Sequence, residues 1–243
     1  MEEHATWISE EFNVLAARLA GLLGLHVPEG HELIPQPAVM ALIVMALLVT
    51  LSLYLRKNLS VDRPGGLQQT IELFFEIIQG LMKDMIGPHA ERHFPLIAGL
   101  GLFILTSNWL GMVPGFISPT ANMNCTVALA ICSFLYYNYQ GFRVQGALGY
   151  LKHFCGPVIW LAPLMFAIEI VSHLARPFSL SVRLFGNIFA EEMIINTLNT
   201  AIFPFLTSLP VMFLGLFAST IQAFIFMLLS MVYIGGAVEQ SHH

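Results

Sequence analysis

Residues 38–55, AVMALIVMALLVTLSLYL, contain no charged side chain, and no other feature constrains the chain as strongly. As an α-helix this run extends about 27 Å, close to the ~30 Å thickness of a bilayer's hydrocarbon core. Arg56 and Lys57 follow at once, and Arg63 is near. Basic residues at the end of a span mark the cytoplasmic side, which puts the N-terminus outside. The rest of the chain agrees: 56% of its 243 residues are hydrophobic and 10% charged, more apolar surface than a soluble domain of this size can bury. The expected fold class is an all-α integral membrane protein. Residues 1–36 form an external N-terminal segment and 37–243 a single membrane domain.

The next stretch has a different period. In LQQTIELFFEIIQGLMKDMIG, apolar residues fall at 67, 71, 74, 75, 78, 81, 82, 85 and 86, and polar ones at 68, 69, 72, 76, 79 and 83. One oily and one charged face define an amphipathic helix over about 66–87, lying along the cytoplasmic interface. Further spans are expected at 94–114, its apolar run broken by Ser107-Asn108, and at 125–141. Two long segments follow, 157–201 and 203–238. The connection GFISPTANMN has no lysine or arginine, as an external loop should, whereas the following one carries Arg143 and Lys152. About five membrane helices then leave the C-terminus in the cytoplasm. The last two exceed the ~20 residues an upright span needs, so strong tilt is expected.

Several classes are excluded. A net charge of −5 with no basic patch argues against a nucleic-acid partner. The three cysteines, Cys125, Cys132 and Cys155, form no CxxC pair, so neither metal nor cofactor is expected and they read as small buried hydrophobes. His242-His243 read as exposed tail residues. The N-terminus, MEEHATWISEEF, is acidic where a signal or transit peptide would be basic, so no cleaved leader is expected. No GxSxG, HExxH or phosphate-cradling glycine loop occurs, and direct ATP binding is not expected. Paired broken segments of the inverted-repeat transporter kind are absent as well.

The fourth segment holds the chemistry. Its ionisable residues are Glu169, His173, Arg176, Arg183, Glu191 and Glu192. Glu169, Arg176 and Arg183 are spaced by seven, so they line one helical face with a drift of about 20° per step. Ser172, Ser179 and Asn187 widen that stripe, and Pro177 is expected to kink the helix. An arginine at mid-membrane costs roughly 2.5 to 3.5 kcal/mol on insertion scales. The stripe must therefore meet a polar partner or line a wet path. One alternative is internal ion pairing, Glu169 with Arg176 or Glu192 with Arg183, although lone buried pairs are poor sources of stability. A voltage sensor would need a longer basic repeat. In the fifth segment Gly215 and Ser219 suit close helix packing. Gln222, an amide inside the apolar run IQAFIFMLL, requires a hydrogen-bond partner, with Asn187 or Arg183 the candidates.

RPFSLSVRLFGNIFAEE followed by STIQAFIFMLLSMVYIGGAVE closely resembles the signature segments of subunit a of the bacterial F-type (F0) ATP synthase. TSNWLGMVPGF and PTANMNCTVALAI resemble the family's second and third membrane segments, and only the stretch before about residue 36 is unspecific. The resemblance implies a proton-conducting stator subunit of a rotary motor, multi-pass in the cell inner membrane, working with the c-subunit ring, the subunit b peripheral stalk and the rest of F0F1. It is not an enzyme by itself. Arg183 would match the essential arginine facing the ring carboxylates. Asn187, Glu192 and Gln222, with Asn108, would match positions on the external access path, and Glu169 and Ser172 positions near the cytoplasmic one.

Two departures from the family's pattern affect that path. Some members carry a histidine at the place of Gly215 and a glycine at the place of Glu191, so the polar group here has moved to the neighbouring helix. Glu191 then joins Glu192 as a candidate proton carrier. The competing class is a self-contained secondary transporter or ion channel, which would complete its polar site within the chain, whereas Arg183 looks for an acid elsewhere.

Overall fold

The computed structural model describes residues 11–14, 34–60, 64–88, 90–113, 116–155, 162–199 and 204–238. Most of the N-terminal segment, Arg63, Pro114 and the His242-His243 tail lie outside the described residues. Among those described, every regular element is helical: α1 (Gln36–Asn58), α2 (Gly66–Ile86), α3 (Phe94–Gly111), α4 (Met123–Cys155), α5 (Ala162–Asn199) and α6 (Pro204–Val238), with short 3-10 turns at Ala90–Arg92 and Pro119–Ala121. Gln36–Asn58, Phe94–Gly111 and Leu209–Val238 are long and apolar enough to cross a membrane. The 38 residues of α5 extend about 57 Å. That exceeds the hydrocarbon core, so α5 cannot stand upright within it.

α1 begins after Pro35 and ends with Arg56 and Lys57 in its last turn, where cations complement the helix dipole. It buries only Gln36, Val39, Met40 and Val44, and exposes Leu42, Met45, Val49 and Leu53. A soluble helix could not show that surface to water, but lipid accepts it. Outward apolar chains recur on α4 and α5, and Cys132 is among them: expected buried, it is exposed on α4. The thiol stands on the outward side of α4 and not in a protein core.

The core forms where α6 meets α2, α3, α4 and α5. At one end Ile78 and Met82 of α2 pack with Ile97, Tyr137, Met227, Met231 and Ile234. This is the oily face that the period of α2 defines, and Gln68 ties the helix start to the preceding turn by bonding both backbone groups of Ser60. The seat of α2 on α6 depends on Gly235, where a Cβ would stand 2.5 Å from the Met85 carbonyl oxygen. Gly235→Ala is expected to cost about 1–3 kcal/mol through this overpacking, read as a lower thermal midpoint of the purified complex in detergent.

One boundary differs from the sequence expectation, and one interruption of an apolar run does not end its helix. Ser107 and Asn108 interrupt the apolar run but not the helix: α3 continues through them to Gly111, with the buried Asn108 side chain bonded to the Ser219 carbonyl and Thr120 and the Ser107 carbonyl accepting from Ser118 Oγ. α4 continues past residue 141 to Cys155 by turning at Gly146, whose φ of 74° and ψ of 160° suit glycine almost alone. α5 passes through Pro177 as one helix.

Candidate functional site

α5 carries two polar clusters, one in each half. The first lies toward its C-terminal end, and the 3-10 turn between α3 and α4 completes it. Pro119 begins that turn with its φ preset, and Ser118 and Thr120 are both buried against the helices. Glu192 Oε1 accepts the Ser118 backbone N–H at 3.0 Å. Ser118 Oγ stands 3.0 Å from the Ser107 carbonyl and 2.7 Å from Thr120 Oγ1, which in turn is 2.7 Å from Asn108 Oδ1. Each hydroxyl has a single proton. Two protons therefore serve three short contacts, and the chain can be filled in more than one way. Asn108 Nδ2 donates to the Ser219 carbonyl at 3.1 Å, which fastens α3 to α6.

Gln222 finds one of its expected partners: Asn187 Nδ2 donates to Gln222 Oε1 at 2.9 Å across the α5–α6 interface. Gln222 is 1% exposed, and its amide nitrogen has no partner among the described residues. Glu191 lies against the same partner helix. Its carboxylate occupies the space above Gly215, so a Cβ built there would collide with it. The small residue at 215 and the acid at 191 thus fit one another, and the two adjacent glutamates diverge: Glu191 toward α6, Glu192 toward the turn at Ser118.

The second cluster lies in the N-terminal half of α5. Arg176 Nη2 is 3.6 Å from Glu169 Oε1, and its guanidinium sits 5.2 Å above the Tyr233 ring of α6. His173 is buried, its Nε2 2.8 Å from Asn138 Oδ1 on α4. Asn138 donates its own amide to the Phe134 carbonyl, which leaves Oδ1 as acceptor and makes His173 Nε2 the donor. The rings of Phe134, Tyr137 and His173 meet edge to face at 5.2–5.4 Å. Ser172 is exposed on this half.

Between the clusters the interior is largely apolar, although the buried hydroxyls of Ser133 and Ser230 meet there at 3.0 Å and Ser181 is buried beside Leu180. Leu180, Leu184 and Ile188 of α5 pack with Ile104, Ala130, Ala223 and Phe226, all buried. Along the helix axis Arg176 and Glu192 are about 24 Å apart, and this layer fills the space between. Arg183 stands at that level on the outer face of α5, exposed beside exposed Val182. Among the described residues its one hydrogen bond is to Ser179 Oγ, at 3.5 Å, and it makes no ion pair. Of the two internal pairings weighed from sequence, Glu169–Arg176 forms, while Glu192 is engaged by Ser118. No group of three or more His, Cys, Asp or Glu among the described residues could hold a metal ion.

Ser118, Thr120, Asn138 and Tyr233 were not among the residues singled out from sequence. Thr120 had a signal available, since PTANMNCTVALAI is one of the segments carrying the family resemblance. Tyr233 offered none.

These features define the class: a polytopic helical membrane protein with a polar stripe divided by an apolar layer and an unpaired arginine on its outer surface. The family model for the ATP synthase A chain matches residues 38–235. The chain is 46% identical over 227 residues to ATP synthase subunit a of Syntrophobacter fumaroxidans, covering 90% of this chain and 94% of that one. It is 45% identical over 200 residues to ATP synthase subunit a 3 of Pelobacter propionicus, with 82% and 86% covered, and 47% identical over 199 residues to the Trichlorobacter lovleyi protein, with 82% and 85% covered. The chain belongs to the ATP synthase subunit a family of bacterial F-type ATP synthases. It is a membrane-embedded component of that complex, serving ATP synthesis and proton transport, and is not catalytic by itself.

Proposed function

We propose that this chain supplies two offset proton half-paths and the charge that separates them. The carrying observation is Arg183, unpaired and outward-facing, level with the apolar layer that parts two polar clusters. In this reading the first cluster is the external path, with Asn108, Asn187, Glu191, Glu192 and Gln222 as its proton-handling groups and Ser118 and Thr120 as hydroxyl relays. Glu169 and Ser172 lie on the path to the cytoplasm. The partner of Arg183 is a carboxylate of the c-subunit ring. An arginine keeps its proton at any working pH, so it stabilises a passing deprotonated carboxylate and repels a proton that would cross directly. Each proton must then ride the ring, and its flow turns the rotor.

The same reading places the domain 37–243 in the cell inner membrane in five segments, with the N-terminus outside, the C-terminus in the cytoplasm, α2 along the cytoplasmic interface and subunit b as a further neighbour. A self-contained transporter would have to satisfy Arg183 from within.

Sidedness is the test. In a background with Cys125, Cys132 and Cys155 replaced by alanine, Asn187→Cys is expected to react with a membrane-impermeant thiol reagent applied from outside, and Ser172→Cys with the reagent applied from the cytoplasmic side. Labelling of both from one side would overturn the two-path reading.

A further inference from the structure

The Glu169–Arg176 pair has a geometry that a structural clamp would not use. Both residues are on α5, two turns apart, so the 3.6 Å contact runs along the helix and joins it to nothing else. Such a pair cannot dock α5 on a neighbour. Its side chains are about one-third exposed, at 37% for Glu169 and 32% for Arg176, so the pair is not enclosed between α5 and a neighbouring helix. The group that reaches another helix is the guanidinium alone, over Tyr233, a contact that would persist without the glutamate.

What the pair does accomplish is cancellation of charge. Arg176 lies about 10 Å along the axis from Arg183, on the same stripe. A second uncompensated cation there would add its repulsion to that of Arg183 and raise the barrier for any proton leaving through this half of the protein. Tyr233 holds the cation in place but leaves its charge intact. His173, between Glu169 and Arg176 on the helix, is turned to Asn138. Among the described residues Glu169 alone is placed to neutralise it.

We propose that Glu169 acts on the exit path through Arg176, as the counter-charge that keeps this arginine from becoming a second barrier, and not as a carrier that takes up and releases the proton. Glu169 is then a positioning residue. This rests on the two-path reading above and assigns the chemistry of one of its residues.

The experiment compares Glu169→Gln, Arg176→Gln and the double variant in the whole complex, reading the initial rate of ATP-driven proton pumping in inverted vesicles per assembled complex. Glu169→Gln is expected to slow pumping roughly tenfold, the effect of one unscreened charge at about 10 Å in a medium of intermediate polarity. Arg176→Gln is expected to be no slower than wild type, and the double variant to return to within about threefold of it. A double variant as slow as Glu169→Gln would make Glu169 a carrier and overturn the proposal. So would Arg176→Gln slowing an assembled complex, which would make the arginine a tether through Tyr233, or a Glu169→Gln rate equal to wild type. None of these outcomes bears on Arg183, whose substitution tests the two-path reading separately.

Discussion

Arg183→Ala is expected to abolish ATP-driven proton pumping in vesicles carrying the whole complex, a loss on the order of 100-fold or more, while passive proton leak after removal of the soluble catalytic part is kept or raised. The two halves of this result follow from different features. Assembly should survive, because Arg183 makes no ion pair among the described residues and its contact with Ser179 is at the limit of a hydrogen bond. Leu180, Leu184 and Ile188 form the interior of α5 at this level and are untouched. Coupling should fail, because the only permanent charge between the clusters among the described residues is gone. A proton could then pass between the half-paths along the outer face without carrying the ring round. Arg183→Lys keeps the charge but loses the planar fork that engages a carboxylate bidentately, and is expected to retain the barrier to leak while pumping poorly. Normal pumping in Arg183→Ala would remove the residue from the mechanism. Loss of leak together with pumping would make it a conductor and not a gate.

Which parts of this arrangement were legible in the sequence depends on the range of the interaction. The span of α1 and the oily face of α2 are written in local periodicity, and Ile78 and Met82 are buried where that period puts them. The Asn187–Gln222 bond was also open to inference, because an amide inside an apolar run needs a partner and few polar groups lie at its depth. Arg176 over Tyr233 was not, since periodicity orders residues along one helix and does not relate the faces of two. Ser118 and Thr120 were obscured for another reason: an uncharged, proline-containing connection reads as an external loop, and nothing local shows that it turns inward to meet Glu192 and Asn108. Similarly, the glycines and Arg143 after residue 141 read as a loop, although a single turn at Gly146 lets the helix continue.

The fit between Glu191 and Gly215 leads to the second large effect. Where the family resemblance implies a histidine at the one place and a glycine at the other in some members, this chain has Gly215 and Glu191, and the Glu191 carboxylate fills the volume that any side chain at 215 would need. Gly215→His alone is expected to assemble poorly or pump at a small fraction of the wild-type rate, because an imidazole and a carboxylate cannot share that space without displacing α5 from α6. Glu191→Gly alone leaves the space empty and removes a proton-handling group, whose positioned transfer is worth on the order of 100-fold or more. The double variant Glu191→Gly/Gly215→His restores both the volume and a titratable group at the same point between the helices. It is expected to recover at least about tenfold over either single variant, a coupling that two independent sites would not show. The measurement is ATP-driven pumping per assembled complex for all three. Additive losses would mean that the groups are not equivalent, and wild-type pumping in Glu191→Gly would mean that Glu192, held by Ser118, carries the path by itself.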